Sequence, residues 1–268
     1  MASIAEQYLS PIKTLIKSRE YREFARLLLK YKDFPRSKNT SLRFMNYEFE
    51  TVDALSFIFQ IKHIFVNSLY RFETKAKRPL IYDCGANVGL SCLYFKKAFP
   101  KCKIKAFEAD PNITKVLRKN IARNKLANVD IFNTALWINK KGITFIPDNA
   151  DGGSIFGESK KIKVDSTRLR DLIKKEKKID LIKLNVEGAE VELIKDCHDI
   201  LHKTKNMIIE YHSYPDKRQE LDKILSILTK NGFKYYIQNV NTSRMTPPKS
   251  ELRASEFDLQ LHIFAYKI

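Results

Sequence analysis

The sequence has few cysteines and lacks a long apolar run. Only four of its 268 residues are cysteines (Cys84, Cys92, Cys102 and Cys197), and their spacing matches no paired metal-binding motif. A disulfide-stapled scaffold is therefore disfavoured, and we expect a reducing, cytoplasmic location. No stretch of about 18 apolar residues is present that would cross a membrane. The first 20 residues lack the apolar core of a secretion signal.

Acidic residues are scarce relative to basic ones. The 49 Lys and Arg against 31 Asp and Glu give a formal net charge of +18. This excess attracts polyanions, so RNA is one possible partner, although nucleic acid is the less favoured one. Lysine outnumbers arginine, whereas recognition of phosphates and bases favours arginine. The charge also suits an anionic acceptor or peripheral contact with a membrane surface.

The chain divides into two regions with different patterns. In residues 1–79, apolar residues recur at helical spacing in two segments, with a short hairpin or single strand between them. We therefore predict an N-terminal, mainly helical region over 1–79. The remainder, 80–268, alternates short apolar strands with helical segments, which we predict at about 88–98, 111–124, 167–176, 188–203 and 216–231. This alternation predicts an α/β fold with a mostly parallel, doubly wound sheet.

Seven strand-like runs support this fold prediction. They are LIYDC, KIKAFEA, VDIFN, IDLIKLN, NMIIEYH, FKYYIQ and LQLHIFAYKI. The last run follows the sixth without a long helix, so we expect the last strand of the seven-stranded sheet to be antiparallel. Residues 136–165 are glycine-rich and lack a helical pattern, which predicts a hairpin and a loop near the site.

A glycine-containing turn follows the first of these strands and opens a helix. Residues 83–89 read DCGANVG. Glycines let the backbone turn sharply and let a ligand approach closely, and the helix N-terminus offers amides to an anionic group. We predict that the turn binds a nucleoside cofactor through Asp83, Gly85, Ala86, Asn87 and Gly89.

An acidic residue lies where a ribose would need it. Glu108 ends the second strand, 19 residues beyond Gly89, and Ala109 follows it. A carboxylate there accepts both ribose hydroxyls. The turn has neither the glycine spacing of a pyrophosphate site nor the lysine of a P-loop. S-adenosyl-L-methionine, which has a carboxylate, an ammonium and a ribose but no phosphate, is the better fit.

Four longer blocks resemble the FkbM family of S-adenosylmethionine-dependent methyltransferases. They are IYDCGANVGLSCLYFKKAFP, IKAFEADPNITKVLRKNIARN, VDIFNTALW and LIKLNVEGAEVELIKD. The resemblance spans residues 80–212 and implies a class I, Rossmann-like methyltransferase domain over 80–268. O-methylation of sugars, glycans, lipids or natural products is the activity it implies. By analogy with this fold, Asn133, Thr134 and Ala135 lie near the adenine.

One residue departs from the family pattern. Asn185, in LIKLNVEG, occupies a position where the family usually has aspartate. Its side-chain oxygen still accepts a hydrogen bond from a cofactor amine, but it cannot take up a proton. A non-catalytic cofactor-binding protein is therefore an alternative, although we expect Asn185 to shape the cofactor pocket.

The ends of the fourth and fifth strands offer candidates for the base that assists a hydroxyl acceptor. His212 is our first candidate and Glu187 our second. Period-two alternation places Glu210 on the same side of its strand as His212, where it would orient the imidazole. These groups also include metal-ligand types, but no compact ligand motif exists, and we predict no metal. We expect an O-methyltransferase acting on a saccharide, glycolipid or small-molecule hydroxyl, and an RNA methyltransferase is the alternative that the net charge suggests.

Overall fold

A computed structural model of the protein describes residues 18–145, 162–240 and 257–268. The helices are α1 (Arg19–Tyr31), α2 (Ala54–Ile61), α3 (Leu90–Ala98), α4 (Pro111–Arg123), α5 (Leu169–Lys175), α6 (Glu190–Asp196) and α7 (Leu221–Lys230). The strands before residue 162 are β1 (Thr40–Phe44), β2 (Tyr47–Thr51), β3 (Leu80–Cys84), β4 (Lys103–Glu108), β5 (Val129–Asn133), β6 (Ala135–Trp137) and β7 (Ile143–Phe145). The later strands are β8 (Ile162–Val164), β9 (Ser166–Arg168), β10 (Ile179–Leu184), β11 (Thr204–Ser213), β12 (Lys234–Asn239) and β13 (Leu259–Tyr266).

A seven-stranded sheet forms the centre of the described chain. Its strand order is β12-β13-β11-β10-β3-β4-β5. Neighbouring strands among β11, β10, β3, β4 and β5 pair in parallel, whereas β13 is antiparallel to both β11 and β12. This topology confirms the predicted class I, Rossmann-like fold with an antiparallel last strand. The last strand of the chain therefore lies inside the sheet, between β11 and the edge strand β12.

The N-terminal region packs against one face of this sheet. Asp53 caps α2 by accepting a hydrogen bond from the amide of Ser56 (2.8 Å). A single-turn π-helix, Lys62–Val66, continues α2 toward the sheet. The buried Asn120 of α4 bonds both the amide and the carbonyl of Glu50 in β2. Apolar side chains from α1, α2, the β1–β2 hairpin, α3 and α4 share one hydrophobic cluster.

Two segments differ in detail from their sequence predictions. The helix predicted over 188–203 is α6 alone, followed by a turn and a short 3₁₀ segment, Leu201–Lys203. Where they are described, residues 136–165 contain β7 and β8, which pair with each other, and most of β6, which pairs with β9 just beyond this range. The glycine-rich stretch 151–154, expected near the site, lies outside the described residues. In the described ranges no helix has the length and apolar character needed to cross a bilayer.

One level of the sheet, at the carboxyl ends of the parallel strands, collects polar residues from every strand. Pairing places Glu108 beside Asn133, and Glu210 beside His262. Gly85 and Asn185 come one residue after the last pairs of β3 and β10. Ligands of open α/β sheets bind at this edge, so the register itself brings the candidate residues together.

Candidate active site

A cavity of about 420 Å³ lies at this edge of the sheet. Nine residues predicted from the sequence line it. They are Gly85, Ala86, Asn87, Glu108, Ala109, Thr134, Ala135, Asn185 and Glu187. Four others do not line it, namely Asp83, Gly89, Asn133 and His212. The cavity also reaches α2 and the π-helical turn, whose Gln60 and His63 form part of its wall.

The backbone amides of the turn after β3 hold it in place through hydrogen bonds. The amides of Gly85 and Ala86 both donate to the carbonyl of Phe107 in the neighbouring strand (3.0 and 2.9 Å). The amide of Val88 donates to the Asn87 side chain (2.6 Å), and Asn87 itself has a left-handed φ of 46°. These amides already donate to acceptors in the protein. Among the described residues, the unpaired amides in the first turn of α3 are therefore the remaining donors for a ligand carboxylate at this turn.

Gly85 is required by a close approach of two backbones. Its φ is 85°, and a Cβ atom there would lie 1.8 Å from the carbonyl oxygen of Asn185. The two turns that follow β3 and β10 are thus in contact, and a larger residue cannot separate them without distorting the cavity.

Glu108, the last residue of β4, bonds to the turn that follows β3. Its two carboxylate oxygens accept hydrogen bonds from the amides of Asn87 and Asp110, both at 2.9 Å. Burial raises the pKa of Glu108 to about 7 although these amides oppose the shift. Both oxygens retain lone pairs, because a carboxylate offers about four acceptor positions. Glu108 lines the cavity and is able to accept ribose hydroxyls there.

Asn185 has an unsatisfied side-chain oxygen. Its amide donates to the carbonyl of Cys84 (3.0 Å), which anchors the residue beside β3. Its Oδ1 atom is buried without a hydrogen-bond partner, although the residue lines the cavity. A buried acceptor without a partner is costly, so a ligand donor at this position stabilises it.

The residues predicted near the adenine divide into two kinds. The Asn133 side-chain amide donates to the carbonyls of Glu108 and Ala109 (3.0 and 3.1 Å), so it braces the start of α4 and does not line the cavity. Thr134 and Ala135 do line it. The Thr134 hydroxyl bonds the Asp165 carbonyl (3.1 Å), which ties this wall to β9.

Asp83 lies beneath the cavity instead of lining it. Its Oδ2 atom accepts a hydrogen bond from the Ser91 hydroxyl (2.6 Å), and its Oδ1 atom lies 3.3 Å from the ammonium of Lys183. Burial opposes the charge of Lys183, but Asp83 outweighs it and the pKa of Lys183 is raised. Lys183 also donates to the Gly85 carbonyl. The pair therefore supports the glycine turn from below.

His212 is buried between two carboxylates. Its Nδ1 atom lies 3.3 Å from Glu190 and its Nε2 atom 3.5 Å from Glu187. Burial alone would lower the pKa of His212, but these carboxylates raise it to about 9. The histidine is thus protonated near neutral pH and is unable to accept a second proton. The expected pairing with Glu210 is not observed, because Glu210 faces other groups.

Glu190 shapes the turn that carries Glu187. It is fully buried and accepts hydrogen bonds from the amides of Val186 (3.1 Å) and Gly188 (3.0 Å). Glu187 has a left-handed φ of 50°. The VEGAE segment is therefore built around a buried carboxylate, which His212 neutralises, and it presents Glu187 to the cavity.

Several cavity residues have no counterpart among the sequence predictions. The Tyr70 hydroxyl donates to Glu210 Oε1 (2.6 Å), and Nε2 of His262 lies 3.6 Å from Glu210 Oε2. Tyr70, Glu210 and His262 all line the cavity, as do His63 and Lys183. These contacts join distant parts of the chain, so no local motif marks them.

The described lining of the cavity is acidic, in contrast to the whole chain. Its carboxylates belong to Glu108, Asp110, Glu187 and Glu210. Lys183 is the single lysine or arginine among these described lining residues, and it is paired with Asp83. The excess positive charge of the protein therefore does not come from this lining.

Metal ligation was the alternative use of these side chains. Among the residues described, no group of three or more His, Cys, Asp or Glu is arranged to hold a metal ion. The side chains of His198 and His202 lie 3.0 Å from the carbonyls of Lys195 and Asp199, in the turns after α6. All four cysteines are free and buried.

The fold and this cavity define a class I methyltransferase, and comparison with known proteins identifies the family. Residues 83–235 match the family model for the methyltransferase FkbM domain. This match covers more than half of the chain, which therefore belongs to the FkbM methyltransferase family. S-adenosyl-L-methionine is the cofactor of this enzyme class. The unsatisfied Asn185 oxygen and the cavity-lining Glu108 fit the amine and ribose of that cofactor.

The chain is also similar to individual methyltransferases. Methyltransferase sdnD of Sordaria araneosa is 28% identical over 222 residues, which cover 68% of this chain and 84% of that protein. The 2-O-methyltransferase NoeI of Sinorhizobium fredii is 30% identical over 155 residues, which cover 50% and 63%. The crystal structure of methyltransferase FkbM from Methylobacillus flagellatus aligns with a TM-score of 0.48 at 18% identity, over 74% of this chain and 46% of that one.

Proposed function

We propose that this methyltransferase transfers the methyl group of S-adenosylmethionine to a hydroxyl of a saccharide, a glycolipid or a related small molecule. The observation that carries the proposal is the continuity of the cavity. It runs from Glu108 and the glycine turn, past Asn185, to a wall that contains Gln60 and Gln260. Side chains that donate and accept hydrogen bonds in this way suit an acceptor rich in hydroxyls. The name of the relative NoeI includes 2-O-methyl transfer, which agrees with this proposal.

The acidic lining favours an uncharged acceptor group. Carboxylates on the wall repel a phosphate or carboxylate close to the reacting atoms, and they attract the positive charge of the methyl donor. We therefore propose that any anionic part of the acceptor, or a lipid surface that carries it, contacts the basic exterior. RNA methylation is the less favoured alternative for the same reason.

Each part of the cavity has a proposed role toward the cofactor. Glu108 holds the ribose, Asn185 accepts from the amine, and Thr134 with Ala135 contacts the adenine. Asp83 and Lys183 hold the turn in shape from below. When bound, the cofactor supplies an activated methyl group, and the protein contributes positioning and exclusion of water.

The N-terminal region completes the acceptor side. Phe59, Gln60 and His63 come from α2 and the π-helical turn and line the cavity. We propose that residues 1–79 form the acceptor wall, while residues 80–268 bind the cofactor. Of the two bases predicted from the sequence, Glu187 is the one that lines the cavity.

Calorimetry and methyl incorporation test the proposal together. We expect S-adenosylmethionine and S-adenosylhomocysteine to bind the wild type, and Glu108→Ala to weaken both. Labelled methyl groups should enter a neutral glycan extract in preference to total RNA, with Glu108→Ala as the inactive control. Absence of binding by either nucleoside would overturn the cofactor assignment. Preferential labelling of RNA would overturn the proposed acceptor class.

A further inference from the structure

We propose that His262, held by Glu210, accepts the proton of the acceptor hydroxyl. This inference rests on the proposed O-methyl transfer and deepens it by naming the base. Neither residue belongs to the motifs that identify the family. They come from β11 and β13, and both line the cavity.

The sheet register places the two residues together. Glu210 and His262 are direct partners across the antiparallel pair of β11 and β13. Side chains of direct partners project from the same face of a sheet. Nε2 of His262 lies 3.6 Å from Oε2 of Glu210. Both residues line the cavity and both are largely buried, with exposed fractions of 6% and 7%.

Surrounding groups keep Glu210 ionised. Burial alone would raise the pKa of Glu210, but hydrogen bonding with His262, the charge of Lys183 and the hydrogen bond from Tyr70 lower it to about 2. A carboxylate that faces Nε2 favours the tautomer with the proton on that nitrogen, so Nδ1 is left with a free lone pair. The Tyr70 hydroxyl occupies the other carboxylate oxygen and fixes its orientation. Glu210 is thus a positioning residue for the imidazole.

The proposed step conserves atoms and charge. The acceptor oxygen forms a bond to the methyl carbon while the carbon–sulfur bond breaks, and the bonding electron pair stays on sulfur. The hydroxyl proton moves to Nδ1 of His262, which becomes an imidazolium beside the Glu210 carboxylate. Solvent later removes this proton, which restores the neutral ring.

His212 provides a contrast within the same part of the sheet. It is as buried as His262, but it lies between two carboxylates, carries a proton near neutral pH and does not line the cavity. His63 provides a second contrast, because it also lines the cavity but burial lowers its pKa. These three histidines therefore differ in their access to the cavity and in the carboxylates that surround them.

Chemical modification tests the base without an acceptor. Diethyl pyrocarbonate modifies unprotonated, accessible imidazole nitrogens, and mass spectrometry locates the product at each of the five histidines. At pH 7 we expect His262 to react at least tenfold faster than His212. Exposed His198 and His202 serve as internal standards. A His262 that stays unmodified after both standards have reacted would overturn the proposal.

Turnover then tests the role itself. The probes are labelled S-adenosylmethionine and a panel of neutral methyl glycosides. We expect His262→Gln to lower kcat at least 100-fold with cofactor Kd within twofold, since general-base catalysis contributes about 10²–10⁴-fold. Glu210→Gln should lower kcat with little change in KM, and His198→Gln should match the wild type.

The outcomes separate the two proposals. Full activity of His262→Gln, or a loss seen in His63→Gln or Glu187→Gln instead, would overturn the role of His262 and leave O-methylation standing. A wild type that binds cofactor but methylates no glycoside would overturn the acceptor class. In that case the modification experiment alone decides whether His262 presents a free nitrogen to the cavity.

Discussion

The backbone of Gly85 and the carbonyl of Asn185 are so close that a Cβ atom at Gly85 would lie 1.8 Å from that oxygen. The contact joins the glycine turn after β3, where we propose that the cofactor binds, to the turn that carries Glu187. We expect Gly85→Ala to lower the affinity for S-adenosylmethionine more than about 100-fold, because the turns must separate. Calorimetry measures the affinity, and thermal unfolding measures the accompanying loss of stability.

Gly232 offers a matched control for this substitution. It also has a left-handed φ, 77°, but a Cβ atom there meets nothing within 4 Å. Gly232→Ala should therefore show only the backbone cost of about 1–2 kcal/mol and normal cofactor affinity. Equal affinity losses in the two variants would show that the contact with Asn185 is unimportant.

The ionisation of Glu108 should make cofactor binding depend on pH. Its pKa is about 7, and the ionised form is the stronger acceptor for ribose hydroxyls. We expect affinity for S-adenosylmethionine to rise as the pH increases through about 7. Glu108→Gln should weaken binding roughly 10- to 100-fold, since hydrogen bonds to charged groups contribute about 1.5–3 kcal/mol.

The ionisation of Glu108 should lower folding stability as the pH rises, whereas it should strengthen cofactor binding. Because the folded pKa of Glu108 is raised from 4.5 to about 7, its stabilising contribution is complete below pH 4.5 and is lost as the pH rises through about 7. Unfolding curves of the wild type and Glu108→Gln, recorded from pH 4 to 8, isolate this contribution. Parallel pH profiles for the two proteins would contradict the raised pKa.

His212 should act mainly on stability. Its pKa is raised from 6.5 to about 9, so the pairing with Glu187 and Glu190 stabilises the fold fully below pH 6.5 and is lost as the pH rises through about 9. We expect His212→Leu to lower the free energy of unfolding at pH 6 by about 3–5 kcal/mol, because Glu190 is left buried without its partner.

The exposed His198 is the control for this prediction. Its substitution by leucine should change stability by less than about 0.5 kcal/mol. Chemical denaturation at pH 6 and pH 9.5 gives both values for both variants. A His212→Leu protein of wild-type stability with greatly reduced turnover would instead favour His212 as the catalytic base.

Asn185 should tolerate the acidic residue typical of its family. Its buried Oδ1 atom has no protein partner, so it is available to an amine of the cofactor. We expect Asn185→Asp to keep kcat within about tenfold, whereas Asn185→Leu, which removes the oxygen, should weaken cofactor binding at least about tenfold. An increase in kcat of more than 100-fold in Asn185→Asp would show that the natural asparagine impairs catalysis.

Local sequence patterns predicted most of the sheet. β3 and β5 have the predicted bounds, 80–84 and 129–133, because a short apolar run flanked by turn residues needs no distant information. The prediction of a single helix over 188–203 was wrong, because apolar residues keep helical spacing through a segment in which the chain turns after Cys197. The turn depends on contacts such as that between Arg170 and the Asp196 carbonyl (2.8 Å), which the spacing does not reveal.

The candidate site was predictable only where it consists of contiguous motifs. Glu108 lies 19 residues beyond the glycine turn. Both are found at the end of a recognisable strand. His262 and Tyr70 meet Glu210 across 52 and 140 positions of the chain. Alternation correctly placed Glu210 and His212 on one side of β11, but it could not show that each has its closest partner on a different element.

The position of β13 inside the sheet has a consequence for the order in which this protein becomes active. The ribosome synthesises β13 after β12, yet within the described seven-stranded sheet β12 pairs with β13 alone. This edge of the sheet therefore forms only after β13 has been synthesised. The residues proposed to bind the cofactor are all synthesised before β13. A nascent chain is able to assemble its nucleoside site first, and it acquires His262 only when β13 inserts between two strands that already exist.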